Sequence, residues 1–165
     1  MTKPFLLVDV DGVLNIFGWG SDHDEEPNER LEATFKVDGS TLHVPRGTGE
    51  RMARLETLYN CIWATTWEQK APKLLSPYFG FGLNWPVLNF KMVYQRDYGT
   101  WKLPTVRSWA IDYAMDRKLA WIDDDLDLDA YKWAADRPDT MLQRPDYDVG
   151  MTEDHVLKLE EFARG

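Results

Sequence analysis

The chain has 165 residues, 44% of them hydrophobic and 28% charged, with a formal net charge of -9. That length supports one domain with its own core, and that balance excludes a disordered chain. The negative charge argues against a broad electrostatic grip on nucleic acid while leaving room for a local one; the single cysteine, Cys61, excludes an intrachain disulfide and a thiolate metal cluster.

No apolar run approaches the roughly 18 residues that a membrane span needs, and the N-terminus has no basic segment followed by a long apolar one. A cytoplasmic protein with no membrane partner is the expectation. Cys61, inside the apolar run Cys61-Ile62-Trp63-Ala64, reads as a small core residue.

The segment Phe5-Leu6-Leu7-Val8-Asp9-Val10-Asp11-Gly12 is an apolar run that ends in two carboxylates one residue apart, then a glycine. It predicts a buried strand over 5–10 whose tip carries Asp9 and Asp11 into a tight turn. In open α/β sheets ligands gather at the carboxyl ends of strands, so this tip is the expected floor of a site. Residues 16–30 are polar and acidic and read as a loop or lid. Ala33–Val37 and Thr41–Val44 flank Asp38-Gly39-Ser40, a hairpin signal. Thr48 is the expected cap of a helix over 49–59, with Met52, Leu55, Leu58 and Tyr59 on one face.

Cys61–Ala64 is the second strand and ends at Thr65-Thr66. A helix is expected from Trp67 or Glu68 across Pro72, then irregular chain over 76–90, with a short strand over Val87–Val93. Pro104 opens a helix over 103–115. Leu119–Ile122 is a strand running into Asp123-Asp124-Asp125, followed by a helix over 127–135 and a last strand at Thr140–Leu142. Thr152 caps a terminal helix whose first turn carries Glu153 and Asp154, as the helix dipole favours. Strands alternating with helices predict an α/β fold, with a mostly parallel sheet covered on both faces.

Four groups carry candidate chemistry. Asp9 and Asp11 suit a pair in which one carboxylate attacks phosphorus and the other moves protons; the plain alternative is a solvated turn. Thr65 offers a hydroxyl to a phosphoryl oxygen, or caps the next helix, and Thr66 competes for either role. Lys102 opposes the dipole of the helix it precedes, so it is either an ordinary exposed lysine or a cation kept for a phosphate or an acidic cluster. The acids at 123, 125 and 127 fail as a calcium loop, because Leu128 stands where glycine is needed and Ala134 where glutamate is needed. Carboxylates this close repel one another, and a bound Mg²⁺ would relieve the conflict. His23, His43 and His155 have no metal spacing, and the aromatics over Tyr78–Phe90 either stack a base or fill core.

These motifs run in one order: Asp-x-Asp-Gly, apolar-Thr, Lys, apolar-Asp-Asp. The order resembles the haloacid dehalogenase (HAD) superfamily of phosphatases over residues 5 to 129. Trp63-Ala64-Thr65-Thr66-Trp67 and Gly150-Met151-Thr152-Glu153-Asp154-His155 also look like a small bacterial and phage branch, which includes phosphatase-like domains proposed for RNA repair. The resemblance implies a Rossmann-like three-layer sandwich over 1–165 as a single domain, with a β-hairpin flap at about 16–47 instead of a full cap domain.

It also implies roles. Asp9 matches the nucleophile that becomes an aspartyl phosphate, and Asp11 the general acid and base whose carbonyl also reaches the metal. Thr65 (or Thr66), Lys102 and the backbone N–H groups of Val10 and Gly12 would hold the phosphoryl group. Asp9, Asp11, Asp124 and Asp123 would hold Mg²⁺, with Asp129 or Asp127 as a supporting acid. An acid at Asp11 speaks against carbon–halogen chemistry, which lacks one there. The implied activity is Mg²⁺-dependent hydrolysis of a phosphomonoester, on a nucleotide or, since a nearly uncapped site is open, on a large substrate such as a nucleic-acid end or a phosphoprotein. A non-catalytic binding or regulatory protein is the alternative, and the presence of all four motifs weighs against it.

Overall fold

Leu6, Leu7, Val8, Ile62, Trp63, Leu119, Trp121 and Ile122 are all buried, and the strands that carry them pair in parallel at the centre of the fold. The computed structural model describes residues 2–17, 27–90 and 99–165. In chain order the elements are β1 (Phe5–Val8), α1 (Pro27–Arg30), β2 (Leu31–Val37), β3 (Ser40–Pro45), α2 (Thr48–Leu58), β4 (Asn60–Trp63), a π-helical turn (Ala71–Leu75) continued by α3 (Ser76–Phe79), α4 (Leu103–Tyr113), β5 (Leu119–Ile122), α5 (Leu128–Asp136), β6 (Thr140–Gln143) and α6 (Glu153–Arg164). The sheet order is β4-β1-β5-β6, all parallel, and β2 and β3 form a separate antiparallel hairpin.

Side chains alternate across the sheet, so each strand feeds two cores. Leu6, Val8, Cys61, Trp63, Ala120 and Ile122 face one side, with Met52 and Leu55 of α2 and Val156 and Leu159 of α6. Leu7, Ile62, Ala64, Leu119 and Trp121 face the other, with Val106 and Ala110 of α4 and Ala130 of α5. Strands buried on both faces read as continuous apolar runs, which is why they were visible in sequence. The result is a three-layer α/β sandwich of the Rossmann-like kind. Phe35, Leu42 and Val44 of the hairpin join the first core, so the hairpin is packed down on the sheet's layer. Cys61 is buried there, and burial pushes its thiol well above the usual range.

Several boundaries differ from expectation. Gly47, at φ 87°, is the N-cap of α2 in place of Thr48; Thr48 is the first helical residue, and its hydroxyl donates to the Pro45 carbonyl at 2.7 Å. No helix begins at Trp67 or Glu68. The Trp67 N–H donates to Thr65 Oγ1 at 3.2 Å, Glu68 sits at φ 45°, and the Glu68 carboxylate accepts the Phe90 N–H at 3.2 Å, which together make a turn. The π-helical turn opens at Ala71 with Pro72 in its first turn, where the missing N–H costs nothing. It runs on as α3 to Phe79, so 76–79 is helical where irregular chain was expected.

The expected strand over Val87–Val93 reduces to one parallel bridge between Val87 and Trp63; residues 91–93 lie outside the described residues, as do 18–26 of the expected loop, including His23. Within that loop, Pro27–Arg30 forms a helical turn. Of the aromatics after Tyr78, Phe90 is buried, and Phe79, Phe81 and Trp85 are half-buried against the first core. Phe79, Phe81 and Trp85 pack around Trp63, and Gly82 lies so close that a Cβ there would come within 2.3 Å of the indole. Tyr78 itself is exposed and stacks on Phe35 of the hairpin, centroids 4.4 Å apart.

Candidate active site

The strand register assembles the site. Val8 is level with Trp63 on β4 and with Ile122 on β5, so the next residues of three strands, Asp9, Ala64-Thr65 and Asp123, emerge together at the carboxyl edge. The ladder continues one step beyond the strands: the Ala64 N–H donates to the Val8 carbonyl at 2.8 Å and the Asp9 N–H to the Ile122 carbonyl at 3.1 Å.

Lys102 reaches into this edge from the N-cap position of α4. Its ammonium lies 3.1 Å from Asp9 Oδ1 and 2.7 Å from Asp123 Oδ2, and donates to the Ala64 carbonyl at 3.0 Å. Asp9, Lys102 and Asp123 are all buried. The rings of Phe90 and Trp101 flank the ammonium, each centroid 5.8 Å away. A cation at a helix N-terminus is unfavourable alone; here the two carboxylates outweigh the dipole. Burial opposes the charge on Lys102, but Asp9 and Asp123 more than offset it and hold the pKa above that of an ordinary lysine.

Asp124 completes the cluster. One carboxylate oxygen from each of Asp9, Asp123 and Asp124 lies within 4.8 Å of the others, close enough for all three to reach one metal ion. Three carboxylates face one lysine, so negative charge is in excess. Burial first, and Asp123 second, raise the Asp9 carboxyl well above its usual range, and the same two causes raise Asp124. A divalent cation that prefers hard oxygens fits this donor set. Asp123 is held by the Asp125 N–H at 2.9 Å, and Arg144 Nε donates to the Asp124 carbonyl at 3.1 Å, fixing the loop that carries both. Gly12, at φ 79°, lets the first loop pass this close: a Cβ there would stand 2.3 Å from Asp124 Cγ.

Asp11 lies apart from the three-carboxylate cluster. Its Oδ1 accepts from Asn15 Nδ2 at 2.8 Å and its Oδ2 from Trp67 Nε1 at 3.1 Å. Thr65 is fully buried beside Ala64, while Thr66 is exposed. A Thr65 hydroxyl that accepts the Trp67 N–H still has its own proton to donate. The Val10 N–H is engaged by Asp9 Oδ1 at 2.8 Å and the Gly12 N–H by the Asn15 carbonyl at 2.7 Å, so both expected phosphate donors already have partners.

Neither supporting acid joins the cluster. The Asp127 side chain caps α5 through the Leu128 N–H at 2.7 Å. Asp129 Oδ1 accepts from the Thr100 hydroxyl at 2.8 Å and from the Thr100 N–H at 3.0 Å, tying the segment before Lys102 to α5. Burial would raise the Asp129 carboxyl, but these donors outweigh it and hold the pKa low. Asn15, Trp67 and Thr100 were not picked out in sequence as site residues. Asn15 had one signal, a polar residue after the apolar pair Val13-Leu14, and it is buried.

The described residues contain no helix long and apolar enough to cross a membrane. No curated protein sequence matches the chain significantly. The family described as the HAD domain in Swiss Army Knife RNA repair proteins matches residues 5–156, a span that takes in every site residue above. With its four motifs brought to one sheet edge and nearly its whole length matched, the chain belongs to that family of HAD domains.

Proposed function

We propose that the protein is a Mg²⁺-dependent phosphomonoester hydrolase that works through an aspartyl phosphate on Asp9. The observation that carries this reading is the buried Lys102 held between Asp9 and Asp123, beside a third carboxylate on Asp124. A buried cluster with surplus negative charge is costly to maintain, and a phosphoryl-transfer site with its cation is a use that repays it.

Asp9, Asp123 and Asp124 would hold the Mg²⁺, joined by the main-chain carbonyl of Asp11. Bound there, it would offset the repulsion between Asp9 and an incoming phosphate dianion. The Asp9 carboxylate then forms the new bond to phosphorus. Lys102 screens the charge on Asp9 and on the phosphoryl oxygens, and Thr65 donates its hydroxyl to one of them. Asp11 gives its proton to the leaving oxygen and takes one back from the water that hydrolyses the acyl phosphate.

For the substrate, a nucleic-acid end is the reading favoured by the family's setting in RNA repair proteins. A terminal phosphate needs only a local grip, which the net charge of -9 permits. The test is phosphate release from small phosphomonoesters and from 5′- and 3′-phosphorylated oligonucleotides, with Mg²⁺ or EDTA, and with Asp9→Asn as control. Mg²⁺-dependent turnover that the variant lacks is expected. Turnover that persists in Asp9→Asn would sink the mechanism.

A further inference from the structure

We infer that the cavity between the hairpin tip and the Thr66–Lys70 turn seats the part of the leaving group next to the phosphate, an uncharged nucleoside, and that Asn15 and Trp67 aim Asp11 into it. The inference rests on the assignment of Asp11 as proton donor. The cavity is about 480 Å³ and is lined by Asp11, Asp38, Ser40, Trp67, Gln69 and Lys70 among others. That volume is within the range of small-molecule sites.

The geometry around Asp11 is a double brace. Trp67 holds one carboxylate oxygen and Asn15 the other. Asn15 in turn accepts the His43 N–H of β3 at 2.8 Å through its Oδ1. A backbone N–H can only donate, so the amide orientation is settled and Nδ2 must face Asp11. The Ile16 N–H donates to the His43 carbonyl at 3.0 Å, so two bonds fasten this loop to the hairpin. At the other end of the hairpin, Lys70 pairs with Asp38 at 2.5 Å. The hairpin therefore both walls the cavity and orients the acid that faces it.

The lining states the ligand chemistry. With Asp11 carrying the proton it donates, Asp38 and Glu68 still bring two carboxylates against one ammonium, which is itself paired with Asp38, so a further anionic group in the cavity would be repelled. Ser40, Thr66 and Gln69 offer neutral hydrogen-bonding groups, and the Trp67 indole offers a flat face to a base or sugar. In the step itself, the bond from Asp9 to phosphorus forms as the ester P–O bond breaks. The electron pair stays on the nucleoside oxygen, which takes the Asp11 proton.

Leaving-group dependence separates positioning from mere structure. A nucleoside alkoxide needs that proton, whereas p-nitrophenolate does not. We would measure kcat/KM, which ends at departure of the leaving group and so leaves out the acyl-phosphate hydrolysis that Asp11 also serves, for wild type, Trp67→Phe and Asn15→Asp on uridine 5′-monophosphate and p-nitrophenyl phosphate, with Mg²⁺. In both variants the ratio of the two rates should fall at least tenfold against the nucleotide, and residual p-nitrophenyl phosphate turnover reports that the protein is folded. Orotidine 5′-monophosphate, which adds one carboxylate to the leaving group, should show a kcat/KM at least tenfold below that of the uridine compound in wild type. An active wild type with an unchanged ratio in both variants overturns the role of the brace, and equal use of the two nucleotides overturns the uncharged seat. A wild type inactive on every substrate overturns the phosphatase reading, and this inference with it.

Discussion

The ammonium of Lys102 lies 2.7 Å from the Asp123 carboxylate, and both side chains are buried. Removing one partner of a buried pair leaves an uncompensated charge, at a cost of about 3–5 kcal/mol. Lys102→Met should therefore lower stability by about that amount in urea unfolding with EDTA, and abolish turnover. Excess Mg²⁺ should restore part of the stability, since the three carboxylates would regain a cation, and none of the activity. A loss below about 1 kcal/mol would mean that the cluster is not held by this lysine.

Mg²⁺ itself should act as a stabilising ligand. A cation that binds only the folded chain adds about 2.7 kcal/mol at a hundred times its dissociation constant. The melting temperature of the wild type should rise with Mg²⁺ and fall back with EDTA. Asp124→Asn is the informative control: Asp124 forms no ion pair with Lys102 among the described residues, yet belongs to the cluster. It should melt close to wild type in EDTA and lose most of the Mg²⁺ response. An equal response in both would place the cation elsewhere.

Most of this site was readable before the structure because its residues stand at the ends of apolar runs. Asp9, Thr65 and Asp123 each follow a strand buried on both faces, and such strands have a continuous apolar signature. Lys102 was visible as a charge in the wrong place on a helix dipole. The brace on Asp11 was not readable: Trp67 reaches it from 56 residues away, and Asn15, four residues on, reaches it through the shape of a turn, so neither bond leaves a periodic trace. The same holds for Thr100 and Asp129, which are 29 residues apart. Helix limits failed where backbone conformation outranked side-chain preference: Gly47 in the left-handed region displaced Thr48 as cap, and Glu68 in that region ended the expected helix before it began.

Gly12→Ala tests the close approach of the first loop to the last acidic one. The new Cβ would stand 2.3 Å from Asp124 Cγ, and φ 79° is strained for any residue with a Cβ. A cost of about 1–3 kcal/mol is expected from backbone strain and crowding. Because the atom displaced belongs to the metal cluster, activity should fall and the Mg²⁺ concentration for half-maximal rate should rise severalfold. Destabilisation with an unaltered Mg²⁺ dependence would separate Gly12 from the cluster.

The first turn of α6 carries a contact that is linked to pH. His155 Nδ1 accepts the Thr152 N–H at 3.0 Å and closes the capping box of α6, a bond that needs the neutral ring. Burial lowers the His155 pKa below its ordinary value, outweighing the pull of Asp154. The unfolded chain therefore takes up a proton near pH 6.5 before the folded chain does. Stability from this group is complete above about pH 6.5 and is lost as pH falls from there toward the lowered folded value. His155→Gln keeps an acceptor at the same helix position and has no proton to gain. The urea midpoint of the wild type should drop more steeply between pH 7 and 5 than that of His155→Gln, after subtraction of the carboxylate-driven slope common to both. Parallel curves would mean that the ring carries no linked proton and that the cap is held by the Thr152 hydroxyl alone.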